Sequence, residues 1–139
     1  METALVRFDL QRMVATHRSA RAVATIALLD PLTNPHTGNH GGFVSVDPSG
    51  GITRFVEGGS EMDVVEYINA GVYLLEPALF RFIPEATFFD FGRDLFPKLL
   101  RKQIPIQSHP IEGYMLGIDT RERLEIARRL IQTKVIELQ

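Results

Sequence analysis

Seven consecutive residues, Val23 to Leu29, carry six apolar side chains and one threonine, with no alternation of apolar and polar positions. A strand of that kind has no wet face, so it needs cover above and below, which is the situation of a strand inside an α/β sheet. The residues before it fit the same architecture. Asp9 can cap a helix in which Leu10, Met13, Val14 and His17 recur at helical spacing, and Arg18 to Arg21 loop from its end into the strand. Helix, loop and strand in this order form the latter part of a crossover unit, which requires a strand before the helix. Leu5 to Phe8 is the candidate for it; without it, Val23 to Leu29 stands at an open edge of the sheet.

The rest of the chain supplies further strands and two or three helices. Asp30 to Gly42 holds two prolines, three glycines and two histidines and reads as a loop. Phe43 to Asp47 and Ile52 to Glu57 alternate around Pro48-Ser49-Gly50-Gly51, the pattern of a hairpin. Gly58-Gly59-Ser60, with Glu61 and Asp63, is an acidic loop leading to Tyr67–Pro77. In that stretch Ile68, Val72 and Leu74 share one parity, while Asn69 and Gly71 break the apolar pattern. A glycine in a strand marks either close approach of a backbone or ligand, or a β-bulge. Pro77 suits the first turn of a short helix with Leu79, Phe80 and Ile83. Phe88 to Phe91, then Leu95, Phe96, Leu99 and Leu100, are expected to pack in the core. Ile104 and Ile106 mark a short strand, Gly113 to Ile118 another, and Thr120 caps a final helix with Leu124, Ala127 and Ile131 inward. Strands interleaved with helices over 139 residues predict one layered α/β domain with a mixed sheet.

Composition narrows the chemistry. A formal charge of −2 argues against a nucleic-acid surface, so any phosphate contact must be local. The absence of cysteine removes thiolate nucleophiles, disulfides and cysteine metal sites. No apolar run reaches membrane-spanning length and no basic-then-apolar leader opens the chain, which leads to the expectation of a cytoplasmic protein without membrane contact.

Several side chains are candidates for a site. Glu57 and Asn69 could meet the hydroxyls of a polyhydroxylated ligand lying against the bare backbone of Gly71, since a carboxylate accepts and an amide both donates and accepts. Glu57 is also an ordinary strand-end residue. Asp119, between a strand and the Thr120 helix, could hold Mg²⁺ beside a phosphate or could simply favour the helix N-terminus. His36 and His40 share a loop but lack a third zinc ligand at any recognisable spacing. His17 is expected to bond to backbone. Neither a nucleophile elbow nor a glycine-rich loop followed by lysine is present.

These segments together resemble the sugar nucleotidyltransferases, or nucleotide-sugar pyrophosphorylases. His17-Arg18 followed by Ala24-Thr25-Ile26-Ala27 is similar to the family's segment after its Asn-Gly-Asp motif. Gly42 and Val44 resemble its Tyr-Gly strand, with Gly41 at the tyrosine position. Phe55-Val56-Glu57 resembles the approach to its Glu-Lys-Pro motif, and Asn69-Ala70-Gly71-Val72-Tyr73 with Pro77 is the closest match. Phe96-Pro97 and Gly113 to Ala127 extend the resemblance along nearly the whole chain.

The resemblance implies a truncated, Rossmann-like nucleotidyltransferase domain over residues 1–139, corresponding to the C-terminal, sugar-binding part of the family. It implies a reaction joining a nucleoside triphosphate to a sugar 1-phosphate with Mg²⁺. It also shows departures. The family's N-terminal glycine-rich loop, with its arginine and lysine, has no counterpart, and Gly58 stands where a lysine follows Glu57. Gly117-Ile118-Asp119-Thr120-Arg121 replaces Asp-Ile-Gly-Thr-Pro, so the family's metal-binding aspartate aligns with Gly117. In a strand, Asp119 would lie about 6–7 Å further along. The expectation is a sugar-phosphate site built on Glu57, Asn69 and Gly71, with Asp119 as the candidate metal ligand and Mg²⁺ needed only if the chain is catalytic or binds phosphate. Catalysis would need a complementary nucleotide-binding chain to supply the missing charges. The alternative is a non-catalytic module that pairs its open edge in a homodimer or with another partner.

Overall fold

The computed structural model describes residues 3–38, 42–56 and 67–138. Strand β1 (Ala4–Arg7) leads into helix α1 (Leu10–Ala20) and then β2 (Ala24–Leu29), all of whose residues are buried. Strands β3 (Phe43–Val46) and β4 (Ile52–Val56) form the hairpin, and β5 (Tyr67–Leu75) follows. A 3₁₀ turn over Pro77–Phe82 and a π-helical turn over Phe91–Leu95 precede helix α2 (Phe96–Arg101). Strand β6 (Ile106–Pro110), strand β7 (Tyr114–Gly117) and helix α3 (Arg121–Gln132) end the order. Local chemistry sets these boundaries. The Asp9 side chain accepts from Arg12 N at α1 and the Thr120 hydroxyl accepts from Arg123 N at α3, each satisfying a donor that the helix leaves open. Asp47 accepts from Ser49 N, Ser49 Oγ and Gly51 N and thereby ties the hairpin turn. Those bonds, the Ser49 hydroxyl first, hold its carboxyl below the usual 3.8.

Five strands form a mixed sheet in the order β4-β3-β5-β2-β6, with β2 antiparallel to β5 and parallel to β6. Helices flank it, giving a Rossmann-like α/β fold. Strand β2 therefore lies inside the sheet, contrary to the open edge expected from the sequence. β6 returns late in the chain and pairs along it from Ala24↔Ile106 to Leu28↔Pro110. The short strand expected at Leu5 to Phe8 exists as β1, but it pairs with β7 in a separate two-stranded ribbon. The outer strands of the five also meet. Gly51 bridges Gln107, and the Ser108 N–H and hydroxyl both donate to the Gly50 carbonyl at 2.8 and 2.7 Å. Gly50 has φ +88°, a conformation that favours glycine, whereas an added Cβ, 2.5 Å from Gln107 Nε2, would displace only the end of that flexible side chain.

The two faces of β2 explain its unbroken apolar character. Ala24, Ile26 and Leu28 join Val44, Ile52, Phe55, Leu95, Phe96 and Leu99 in one core. Ala27 and Leu29 join Met13, Ile68 and Ala70 in another beneath α1. Thr25 faces α1 as well, and its hydroxyl meets His17 Nδ1 at 2.7 Å. His17 Nε2 meets Glu76 Oε1 at 2.7 Å, so its partners are two side chains rather than the expected backbone. A carboxylate only accepts, which places a proton on Nε2. The phenylalanines divide: Phe96 is fully buried against Phe55, Tyr73 and Phe91, whereas Phe88 is 89% exposed, outside the core expected for it.

Candidate functional site

On β5, Tyr73 lies opposite Ile26 and Asn69 opposite Leu28, so Ala70, Gly71 and Val72 stand against Ala27 alone. The extra residues form a bulge, and Gly71 at its crest has φ +76°. A Cβ at Gly71 would meet nothing within 4 Å. Of the two readings left open for this glycine, the bulge is realised, and no protein backbone approaches it closely among the described residues. Asn69 fixes the bulge. Its Oδ1 accepts from Gly71 N at 2.9 Å, its Nδ2 donates to the Tyr73 hydroxyl at 2.8 Å, and its own N–H donates to Gly42 O at 2.8 Å. One amide N–H and one acceptor position of its side chain remain.

The bulge forms one wall of a cavity of about 600 Å³. The ribbon contributes Ala4, Val6, Met115 and Gly117; Thr37 and Gly38 come from the loop after β2, and Phe88 to Gly92 from the segment before α2. Arg123 of α3 completes the lining. The cavity thus joins aromatic surface, an amide, the Asp90 carboxylate and a guanidinium, the mixture of apolar walls and few polar groups expected of a small-molecule site. Asp90 Oδ1 accepts from Arg93 N, which leaves further lone pairs on that carboxylate.

The sequence-derived candidates fall out unequally. Asn69 and Gly71 are brought together at the cavity wall. Glu57 and His40 lie outside the described residues. Asp119 does not line the cavity; its side chain, 21% exposed, is bonded to Arg123 Nη1. Among the described residues no three His, Cys, Asp or Glu side chains converge on a metal position. With its Asp119 carboxylate committed to a guanidinium, this donor set does not fit Mg²⁺ as it stands. His36 receives Gly38 N at Nδ1, 3.1 Å, and so directs Nε2–H to Pro31 O, 3.2 Å, which engages both ring nitrogens. Thr37, Asp90 and Arg123 were not singled out by sequence. Only Arg123 had a signal, being four residues before the inward Ala127 and four after Asp119, and so on the inner face of α3.

Comparison with known proteins now decides the family. The family model of the nucleotidyl transferases matches residues 3–115. The chain belongs to the nucleotidyl transferase family. The chain is 34% identical over 106 residues to the UTP–glucose-1-phosphate uridylyltransferase of Synechocystis, a match covering 76% of the chain and 27% of that protein. It is 25% identical over 122 residues to the glucose-1-phosphate adenylyltransferase of Halalkalibacterium halodurans, covering 84% of the chain and 31% of the relative. It is also 30% identical over 98 residues to a chloroplastic small subunit of Arabidopsis thaliana named inactive glucose-1-phosphate adenylyltransferase, covering 70% and 20%. The chain spans about a third or less of each of these relatives. The family match includes the β5 bulge and ends before Gly117, Asp119 and Arg123. No helix among the described residues is long and apolar enough to cross a membrane.

Proposed function

We propose that the cavity beside the β5 bulge is a sugar-phosphate site and that the chain is the sugar-binding, C-terminal part of a nucleotidyltransferase. The observation that carries this reading is Gly71, whose left-handed backbone opens onto the cavity with no atom of the described residues within 4 Å of where a Cβ would stand. A sugar ring can lie against that bare backbone. The remaining N–H and lone pair of Asn69 can meet ring hydroxyls, as can the Asp90 carboxylate, with the aromatic side chains of Phe88 to Phe91 against the ring's apolar face. Glu57 is a further acceptor for those hydroxyls in the same proposal. The names of the relatives support a sugar 1-phosphate as the class of ligand.

Catalysis by this chain alone is not part of the proposal. The sequence holds no glycine-rich loop followed by lysine to steady a triphosphate, and phosphoryl transfer depends on such charges. Asp119 could serve a metal ion only where Arg123 released it. A complementary nucleotide-binding chain would supply those charges in this reading. The edge-pairing argument for a homodimer is gone, because β2 has neighbours on both sides. Calorimetry with glucose 1-phosphate, with and without Mg²⁺, tests the ligand; light scattering tests self-association. Saturable heat supports the site, and the absence of both heat and any ligand-induced melting shift contradicts it.

A further inference from the structure

We infer that Arg123 holds the phosphate of the cavity's ligand directly, as a cation that takes the place of a divalent metal. This rests on the sugar-phosphate reading for its ligand, but its evidence is separate. Arg123 is 9% exposed, yet it lines the cavity. A guanidinium keeps its proton and presents five N–H donors in a planar fork. Among the described residues its side chain makes one hydrogen bond, from Nη1 to Asp119. The remaining donors are therefore nearly withdrawn from water with no acceptor among the described residues, a costly arrangement that an oxyanion relieves.

Gly117 makes the room. A Cβ there would lie 3.3 Å from Arg123 Nη1, 3.4 Å from its Cδ and 3.4 Å from Thr37 Oγ1. A Cβ at this position would sit in tight contact with the end of the arginine, so the glycine leaves the guanidinium its place. The Thr37 hydroxyl donates to Gly117 O at 2.8 Å and so braces the same corner. Asp119 balances the charge of Arg123 while leaving the other guanidinium nitrogens to a ligand. A planar fork matches two oxygens of a phosphate monoester and carries its own charge, so binding here needs no Mg²⁺. Asp90, on another wall of the cavity, suits hydroxyls rather than the anion.

The test is calorimetry of the full chain with glucose 1-phosphate, glucose and inorganic phosphate, each in EDTA and in Mg²⁺. The expected result is equal affinity for glucose 1-phosphate in both conditions. In Arg123→Gln that affinity should fall at least roughly tenfold, as expected for a lost charge-assisted bidentate contact, while any binding of uncharged glucose is retained. Arg123→Lys, which keeps the charge and loses the fork, should fall between the two and serves if the glutamine variant does not fold. Asp119→Asn breaks the same ion pair but keeps the guanidinium, so it should retain phosphate affinity, whereas a merely structural role would make it as poor as Arg123→Gln. Equal losses in these two variants, strict dependence on Mg²⁺, or no phosphate binding by the unaltered chain would overturn the inference. Full affinity for glucose 1-phosphate in Arg123→Gln would overturn it while leaving the sugar-phosphate reading intact. Arg123-dependent binding of inorganic phosphate with no gain from the sugar would support the inference and defeat the sugar reading.

Discussion

Gly71→Ala separates backbone strain from steric clash unusually well. The glycine has φ +76°, and its missing Cβ would meet nothing within 4 Å, so the methyl has space but the wrong backbone. An L-residue held in the left-handed region costs about 1–2 kcal/mol. For a chain of this size that corresponds to a fall in melting temperature of roughly 3–10 °C. Urea denaturation should show the midpoint moving down with an unchanged slope, since the exposed area of unfolding is the same. Gly71→Asn provides the control. Asparagine tolerates the left-handed region better than alanine, so its destabilisation should be smaller although its side chain is larger. A neutral or stabilising Gly71→Ala, or an asparagine variant worse than alanine, would refute the left-handed bulge on which the site is built.

Gly113→Ala should behave differently, because its methyl would fall 1.6 Å from the Arg7 carbonyl oxygen and force β1 away from β7; a loss of about 3 kcal/mol by urea denaturation is expected. Burial of His109, and after it the Arg12 guanidinium, hold the imidazole below its ordinary 6.5. The unfolded chain therefore binds a proton that the folded chain does not, so stability is fullest above pH 6.5 and declines as pH falls from there through the depressed folded value. Urea midpoints measured across that window should decline less in His109→Gln. Phe88→Ala should leave stability within about 0.5 kcal/mol, since the ring is 89% exposed. It should weaken glucose 1-phosphate binding by roughly 2–10-fold in calorimetry if the ring packs on the sugar.

Local chemistry was legible residue by residue. The Asp9 and Thr120 caps, the turn at Pro48-Ser49-Gly50-Gly51 and the hairpin around it each act over a few neighbours, and each stands where the sequence places it. The unbroken run at Val23 to Leu29 correctly implied cover on two faces. Which strands flank it did not follow, because β6 arrives from far along the chain and β1 is drawn off by β7. Asn69 and Gly71 were legible as exceptions to an apolar pattern, though the sequence could not choose between bulge and close approach. Phe88 misled because a run of phenylalanines suggests core packing, and only the turn of the chain decides which ring turns outward. Arg123 was missed because an arginine in a final helix resembles a solvated residue until the helix face is followed through Ala127. The tally of cations read from the motifs thus left out Arg123, which lies at the cavity and beyond the residues that the family model matches.

The most direct test of a ligand cavity at the β5 bulge is to follow backbone amide resonances of the 15.6 kDa chain during titration with glucose 1-phosphate. The account expects saturable shifts concentrated at Thr37 and Gly38, Asn69 to Tyr73, Phe88 to Gly92 and Arg123, with one shared dissociation constant. Saturable shifts confined to other surfaces, or no shifts at millimolar ligand, would contradict it.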